Sequence, residues 1–406
     1  MLNYHHGVQS SVPPPKGTPN FVIVTQAVFG VFWQFELGRE LERRGHLERI
    51  YSTWPWARLK REGLPHARVE SFPWIHTPEM ILSQRGLLPR WLVDHLGYAN
   101  ALLFDEWTLR RMPPCDAFIA ISGAGLKTGQ LVQRRGGKFL CDRGSSHQRF
   151  QEQIVSDEYR RWNVDQPVSD IRDTIREERI YEIADAITVP STFARRSFIE
   201  QGVSPEKVHT IPYGVRLESF AKCGDPAPDT FEVLFVGAVS LRKGLPYLLE
   251  AFARIQHPGK RLRIVGQVPG WMKPIFTRLP MENVQFLGSL PQAQLPALMS
   301  ASHLLVLPSI EDGFGLVMSQ AMACGCPILA STNTGAEDLF SDGVEGFVVP
   351  IRDVDALTDR MQRVAEDPAL QQRMSEAALQ RVQHLGGWTQ YGDAWVKLLQ
   401  KLTGKT

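Results

Sequence analysis

The sequence of 406 residues contains few cysteines and lacks any long apolar run. Its 5 cysteines are an odd number and include no Cys-x-x-Cys pair, which argues against a disulfide framework and against a zinc site. Such cysteine usage is typical of a reducing compartment. No apolar stretch reaches the roughly 18 residues that a transmembrane helix requires, and the N-terminus has no basic start, apolar stretch or cleavage site. We therefore expect a soluble, cytoplasmic protein.

A strong charge bias is also absent, because the formal net charge is only +2. Residues 1–150 hold 19 Lys and Arg against 12 Asp and Glu, whereas the remainder holds 26 against 31. The excess in the first part fits an anionic ligand or a membrane face, and it fits an ordinary solvated surface equally well. We expect no nucleic-acid partner. Glycine and proline contents near average exclude collagen-like and wholly disordered chains, and the length predicts two domains.

Short apolar runs alternate with helical patterns along both halves of the chain, as in parallel α/β folds. In the first half we predict strands at 21–25, 50–53, 116–121, 138–141, 186–189 and 208–211, and helices at 31–45, 126–135, 148–184 and 193–201. After a linker-like segment at 221–230, strands are predicted at 231–237, 261–266, 284–287, 303–307, 327–330 and 347–349. The Pro- and Trp-rich residues 54–112 give no clear pattern. Because ligands bind beyond the carboxyl ends of parallel strands, a cleft between the domains is the expected site.

The most specific motif occupies residues 308–331. A strand ends at Pro308, two glycines surround Phe314, and a helix is predicted from about Leu316. Gly313 and Gly315 would let backbone N–H groups approach a phosphate at a helix N-terminus. A tight turn with nothing bound explains the same spacing equally well.

This stretch resembles the donor-site signature of retaining glycosyltransferases of family 4, in which two glutamates separated by seven residues surround Gly-Phe-Gly-Leu. The resemblance spans about residues 175–390 and includes the segments 181–191, 211–215, 235–244 and 342–347. It implies an α/β fold of the glycosyltransferase B type, with two Rossmann-like domains facing across a cleft and a C-terminal helix that crosses back. The implied parts are a flexible tail (1–18), an acceptor-side domain (19–212), a nucleotide-sugar-binding domain (213–385) and a C-terminal helix packing on the first domain (386–406).

The resemblance implies that Arg242 and Lys243 bind the nucleotide diphosphate. Two fixed cations can neutralise phosphates and stabilise the charge of the leaving group without a metal. A solvated basic pair, like Arg160 and Arg161, is the alternative. The nucleotide sugar would be a substrate, and no cofactor, metal or protein nucleophile is implied.

The positions that match the two family glutamates are Asp312 and Gln320. Counting instead from Glu311 leads to Ser319, so a shift of register does not restore the pair. In the family, the first acid contacts the transferred sugar and the second accepts hydrogen bonds from the ribose. Asp312 keeps the charge on a shorter side chain, and Gln320 keeps an acceptor and two donor hydrogens. These changes would either tune the choice of donor or mark an impaired enzyme.

The resemblance extends to other site residues. His147 is implied to bind a sugar hydroxyl and Arg143 to support the phosphates, and Gly30 and Arg143 are both assigned to the acceptor side. The implied catalytic residues are Arg242, Lys243, Asp312 and His147, and the implied donor-binding residues are Gly237, Gly266, Gly313, Phe314, Gly315, Leu316, Val317 and Gln320. The segment 123–129 is glycine-rich but lacks the spacing of a dinucleotide or ATP loop, so we interpret it as a turn lining the cleft.

The sequence thus predicts a retaining glycosyltransferase with a glycan, lipid-linked or small-molecule acceptor. The alternatives are a nucleotide-sugar-binding protein with little transfer activity and a sugar-nucleotide epimerase on the same fold. A role in bacterial cell-surface polysaccharide synthesis is expected by analogy. Residues 85–93 mix basic and large apolar groups, which favours a peripheral contact at the inner face of a membrane. Packing of this segment in the core is the alternative. Five tryptophans are expected in the core rather than in an acceptor groove: Trp54, Trp56, Trp74, Trp91 and Trp107.

Overall fold

Two parallel β-sheets organise the computed structural model, which describes residues 21–405 except 85, 166–168 and 217. The side chains of Gln84 and Arg90 are also outside the description. The tail predicted at residues 1–18 therefore lies outside the described residues. The two-sheet α/β architecture is the one that the alternating sequence pattern predicts.

The first sheet has seven strands in the order β3-β2-β1-β4-β5-β6-β7, and all of its pairs are parallel. These strands are β1 (Val24–Val28), β2 (Leu47–Ser52), β3 (Val69–Ser71), β4 (Ala117–Ile121), β5 (Lys138–Asp142), β6 (Ala186–Val189) and β7 (Val208–Thr210). The helices around it are α1 (Trp33–Arg43), α2 (Trp56–Leu59), α3 (His76–Gln84), α4 (Arg90–Arg111), α5 (Leu126–Arg134), α6 (Gln148–Arg161), α7 (Ile171–Ile183) and α8 (Thr192–Glu200). We refer to these elements together as the first domain.

The second sheet has six parallel strands in the order β10-β9-β8-β11-β12-β13. These are β8 (Phe231–Val236), β9 (Lys260–Val265), β10 (Val284–Gly288), β11 (Leu304–Leu307), β12 (Ile328–Ser331) and β13 (Gly346–Val349). The second domain also contains α9 (Leu245–Arg254), α10 (Lys273–Phe276), α11 (Leu295–Ser300), α12 (Leu316–Ala323), α13 (Ala336–Leu339), α14 (Val354–Glu366) and α15 (Pro368–Val382), and the chain continues into α16 (Trp388–Thr403). In both sheets the strand order reverses beside the first strand, which is where ligands of such folds bind.

The central strands are buried on both faces. Every residue of β1 and β11 is buried, so both sets of alternating side chains face other elements. Helix α1 shows how the pattern sets the packing: Gln34, Leu37, Gly38 and Leu41 recur on one face and are all buried. Because the central strands are buried on both faces, continuous apolar runs predict their positions well.

Helix α16 contacts the first domain. Arg44, the residue that follows α1, donates a hydrogen bond to the Thr389 carbonyl at 2.8 Å. A Cβ on Gly392 would lie 2.7 Å from the Cβ of Glu40, so the two helices approach closely at this glycine. Lys405 forms an ion pair with Asp116, next to β4, at 2.6 Å.

The structure differs from the sequence predictions in three places. The region 54–112 contains β3 and α4, a helix of 22 residues, neither of which the sequence pattern predicted. The single helix predicted over 148–184 is two helices, α6 and α7. The prediction of core positions was wrong for Trp74 and Trp91, which are 73% and 63% exposed, because they precede α3 and begin α4 on the outer surface. The other three tryptophans are partly buried.

Candidate active site

Arg242 and Lys243 lie in a 3₁₀ turn, Leu241–Lys243, that connects β8 to α9. Gly244 ends this turn with φ of 67°, and a Cβ there would lie 1.9 Å from the carbonyl oxygen of Pro308. The backbone N–H of Ile310 donates to the Arg242 carbonyl at 2.9 Å. The loop after β8 is therefore held directly against the loop after β11, which carries the family motif.

Two ion pairs join these loops. Arg242 Nη1 lies 3.0 Å from Glu311 Oε2 and also donates to the Glu311 carbonyl at 3.0 Å. Lys243 Nζ pairs with the neighbouring Asp312 carboxylate. The structure thus brings together three of the residues that the resemblance singles out, and it adds Glu311 as a partner of Arg242.

Glu311 is fully buried and connects the two domains. Its Oε1 accepts hydrogen bonds from the hydroxyls of Ser145 and Ser146, at 2.6 and 2.8 Å, and its Oε2 accepts one from Gln151 Nε2 at 2.8 Å. These donors belong to the loop after β5 and to α6. Burial by itself would raise the pKa of Glu311, but the charge of Arg242 and these hydrogen bonds outweigh it and lower the pKa to about 2. The sequence analysis considered Glu311 only in counting the register and gave it no role, because its partners in the first domain lie about 160 positions earlier and leave no local signal.

Arg143 is buried, and all of its donors are used within the first domain. Nε donates to the Ser146 carbonyl, and Nη1 donates to Ser122 Oγ and to Glu177. Nη2 donates to the side-chain oxygens of Gln148 and Gln151, each at 2.8 Å. A guanidinium has five N–H donors, so none remains for a phosphate. The predicted phosphate contact of Arg143 is therefore corrected: this residue fixes the loop and α6 around the site.

His147 occupies a different position from the ion pairs. Its Nδ1 accepts the backbone N–H of Arg149, which caps α6, and its ring packs on Tyr181 and Phe198 with both centroid distances 4.9 Å. Burial lowers its pKa to about 4, so the ring is neutral at neutral pH. The ring thus lies between α7 and α8, and its contact with a sugar hydroxyl stays a prediction.

Each glycine of the motif is required for a different structural reason. A Cβ on Gly313 would lie 2.2 Å from the Gly144 carbonyl oxygen, so the two domains touch backbone to backbone here. Gly315 adopts φ of 79° at the start of α12, a left-handed conformation that residues with a side chain rarely adopt. Phe314 between them is buried against Tyr213 and has a packing role.

Helix α12 begins beside the Asp312 carboxylate, because a Cβ on its N-cap residue Gly315 would lie 3.6 Å from Asp312 Oδ2. Leu316 and Val317 are its first two residues and are partly exposed, and their N–H groups have no partner inside a helix at this position. Gln320 lies one turn further along and is also partly exposed. A helix N-terminus with free N–H groups attracts anions.

The remaining predicted residues lie at strand ends. Gly237 follows β8 and Gly266 follows β9, and a Cβ on Gly266 would lie 2.0 Å from the Gly237 carbonyl oxygen. Gly30 lies in the first domain after β1, with its N–H donating to Thr53 Oγ1 at 2.8 Å. A Cβ on Gly30 would overlap the Trp54 ring. These glycines permit close approaches, and their ligand contacts stay predictions.

Comparison with known proteins identifies the family. Residues 144–219 match the model of Glycosyltransferase Family 4, and residues 221–381 match that of Glycosyl transferases group 1. The D-inositol 3-phosphate glycosyltransferase of Kribbella flavida is 30% identical over 234 residues, which are 52% of this chain and 55% of the relative. The chain spans about half the length of the curated relatives it matches.

Solved structures resemble the whole fold. Sucrose-phosphate synthase from Thermosynechococcus elongatus has a TM-score of 0.71 at 22% identity, covering 94% of this chain and 99% of that one. HepE from Anabaena, in complex with UDP and glucose, has a TM-score of 0.65 at 18% identity, covering 93% and 100%. The resemblance predicted from the motif at 308–331 is confirmed. The chain belongs to the family 4 type of glycosyltransferases and has the glycosyltransferase B fold.

Proposed function

We propose that this protein is a retaining glycosyltransferase that moves a sugar from a nucleotide-diphosphate-sugar to a glycan, lipid-linked or small-molecule acceptor. The observation that carries the proposal is the cluster of Arg242, Lys243 and Asp312 beside the start of α12, at the carboxyl ends of the second sheet. Such a cluster supplies two fixed cations and free backbone N–H groups to a diphosphate. The related fold of HepE, described with UDP and glucose, supports a nucleotide-sugar donor.

The chemistry would consist of positioning and of stabilising the leaving group. As the bond between sugar and diphosphate breaks, negative charge grows on the diphosphate, and Arg242 and Lys243 would neutralise it. Asp312 would face the transferred sugar and Gln320 the ribose. The acceptor would approach from the first domain, so that attack and departure occur in one cleft. The proposal includes no metal, cofactor or protein nucleophile.

A transfer assay tests the proposal. Nucleotide sugars, beginning with UDP-glucose, are incubated with the protein and an acceptor panel, and products are detected by mass spectrometry. Combining Arg242→Ala with Lys243→Ala should reduce turnover by about 10²-fold or more, as removal of charge-stabilising groups does. Arg160→Ala with Arg161→Ala, a basic pair at the end of α6, is the matched control and should keep its activity. Near wild-type transfer by the first double variant would contradict the assignment.

We further propose a peripheral contact with a membrane through α3, the start of α4 and the loop between them. No helix in the described part of the chain is both long and apolar enough to cross a bilayer. Large apolar side chains are nevertheless exposed in this region, namely Trp74, Ile81, Leu82, Leu87 and Trp91. Grouped apolar side chains on a surface are typical of membrane or protein contacts. Arg85 lies outside the described residues.

A further inference from the structure

A pocket of about 420 Å³ opens in the first domain, apart from the donor cluster. Phe29 follows β1, Ser122 and Gly123 follow β4, and Gln148 begins α6 after β5. The pocket therefore lies at the carboxyl ends of the first sheet, next to Gly30, where an acceptor is expected.

The pocket is acidic. Five carboxylates line it, and no lysine or arginine is among its described lining residues: Glu79, Asp94, Asp170, Asp173 and Glu177. Asp170 is paired with Arg172, and Glu177 is paired with Arg143. Among the side chains that the structure describes, the other three carboxylates have no ion-pair partner. The pocket thus presents five carboxylates, of which two are paired with arginines and three are unpaired within the described side chains.

The surroundings of the pocket shift the pKa of Asp173. Burial, and then the charges of Asp170 and Glu177, raise its pKa to about 6. A carboxyl group in a cleft whose pKa is shifted by burial and by neighbouring charges marks a candidate binding site.

An independent observation points to a ligand with hydrogen-bond donors. Asn100 lines the same pocket and is only 6% exposed, yet its Oδ1 has no hydrogen-bond partner within the described structure. Buried polar oxygens are nearly always paired, so an orphaned one beside a pocket indicates a missing donor. Carboxylates and an amide oxygen are all acceptors, and together they match a donor-rich cation.

The arrangement favours an organic cation over a metal ion. In the described ranges, no group of three or more His, Cys, Asp and Glu side chains is placed to hold a metal. An ammonium group carries one positive charge and three N–H donors that reach separate acceptors. An ammonium group can therefore pair with carboxylates that are too far apart to coordinate a single metal ion.

The pocket is coupled to the donor cluster through one side chain. Arg143 donates to Ser122 and Glu177 at the pocket and to Gln151 on α6. Gln151 in turn donates to Glu311, the partner of Arg242. A group bound in the pocket is therefore linked, through the hydrogen bonds of Arg143, Gln151 and Glu311, to the residue Arg242 of the donor cluster.

We propose that this pocket binds the amino group of the acceptor, so that the acceptor is an amino sugar or another polyhydroxylated amine. The assignment rests on the proposed transferase function, and it applies whether the amine is a free molecule or part of a lipid-linked glycan. It excludes an acceptor that places a phosphate at this point, because five carboxylates would repel it.

Equilibrium binding to the full chain tests the assignment without requiring turnover. Glucosamine, glucose and N-acetylglucosamine are titrated and followed by ligand-observed NMR at near-neutral pH. Glucosamine should bind about tenfold or more tightly than the two neutral sugars, because charge-assisted hydrogen bonds are the stronger ones. Asp173→Asn with Glu79→Gln should remove most of this preference. Glu200→Gln with Asp229→Asn, at two exposed acids outside the pocket, is the control and should keep it.

A parallel titration with UDP separates the two proposals. If UDP binds and glucosamine shows no preference over glucose, the amine assignment is overturned and the donor site stands. If glucosamine is preferred and neither UDP nor any nucleotide sugar of the transfer assay binds, the pocket stands and the transferase proposal fails. Equal loss of UDP binding in the acidic-pocket variant would indicate that these acids serve the fold, which also overturns the assignment. Transfer to a lipid-linked rather than a free aminoglycan then distinguishes the two sources of the amine.

Discussion

Arg242 Nη1 and Glu311 Oε2 are 3.0 Å apart, with the guanidinium one-third exposed and the carboxylate fully buried. The carboxylate fixes one side of the guanidinium and leaves the rest available to a ligand. Glu311 is itself held by Ser145, Ser146 and Gln151. The position of a donor-site cation in the second domain therefore depends on hydrogen bonds from the first domain, and Glu311 is a positioning residue.

Replacing Glu311 by glutamine should destabilise the protein and change its response to acid. The neutral amide cannot accept from all four side-chain donors that surround the buried carboxylate, and breaking a buried pair costs about 3–5 kcal/mol. Because the pKa of Glu311 is about 2 in the folded protein and ordinarily 4.5, its stabilisation is present above pH 4.5 and is lost as the pH falls toward 2. The free energy of unfolding, measured with urea across this pH range, should therefore decrease less steeply with acid in Glu311→Gln than in the wild type.

A parallel acid titration of Glu200→Gln provides the control, since this residue is exposed at the end of α8. Its unfolding curve should follow that of the wild type. An equal acid slope in all three proteins would show that Glu311 does not ionise with a lowered pKa in the folded state.

Gly313→Ala should weaken the contact between the two domains. Its Cβ would lie 2.2 Å from the Gly144 carbonyl oxygen, so the loops must separate, and overpacking of this kind costs about 1–3 kcal/mol. Gly270→Ala is the matched control, because nothing lies within 4 Å of a Cβ there. Thermal unfolding should show a lowered Tm for the first variant alone, and equal Tm values would mean that the loops give way without cost.

Local patterns predicted most of the fold but little of the contact between domains. The apolar run at 303–307 and the glycines around Phe314 announced β11 and the start of α12, because burial and backbone conformation depend on neighbouring residues. The partners of Glu311 and Arg143 depend on which loops the fold brings together, and no spacing encodes them. The acidic pocket is likewise assembled from separate segments between Phe29 and Glu177.

The atypical pair of the motif can be examined by nucleotide binding. If Gln320 holds the ribose, Gln320→Glu should bind UDP at least as tightly as the wild type. Gln320→Ala should bind UDP more weakly, because the hydrogen-bond acceptor for the ribose hydroxyls is lost. Calorimetric titration measures the three Kd values. Equal affinities would show that residue 320 does not touch the nucleotide.

Asp312→Asn addresses the sugar side of the same motif. The aspartate pairs with Lys243 and is proposed to face the transferred sugar. Its replacement should weaken binding of the intact nucleotide sugar more than binding of bare UDP, since only the former carries the sugar. Titration with both ligands gives the difference, and an equal loss for the two would place Asp312 at the diphosphate.

The proposed membrane contact should depend on both apolar and basic side chains. Trp91→Ser with Leu87→Ser removes exposed apolar surface and should reduce co-sedimentation with anionic vesicles, whereas Val344→Ser, at an exposed apolar residue of the second domain, should not. Arg85→Glu with Arg90→Glu should weaken binding to anionic vesicles in particular, since each basic residue near such a surface contributes about 1 kcal/mol. Salt should weaken the wild-type interaction in the same way, because it screens the charges. No binding at low salt, or binding that ignores lipid charge and both double variants, would remove the membrane contact and leave the transferase proposal in place.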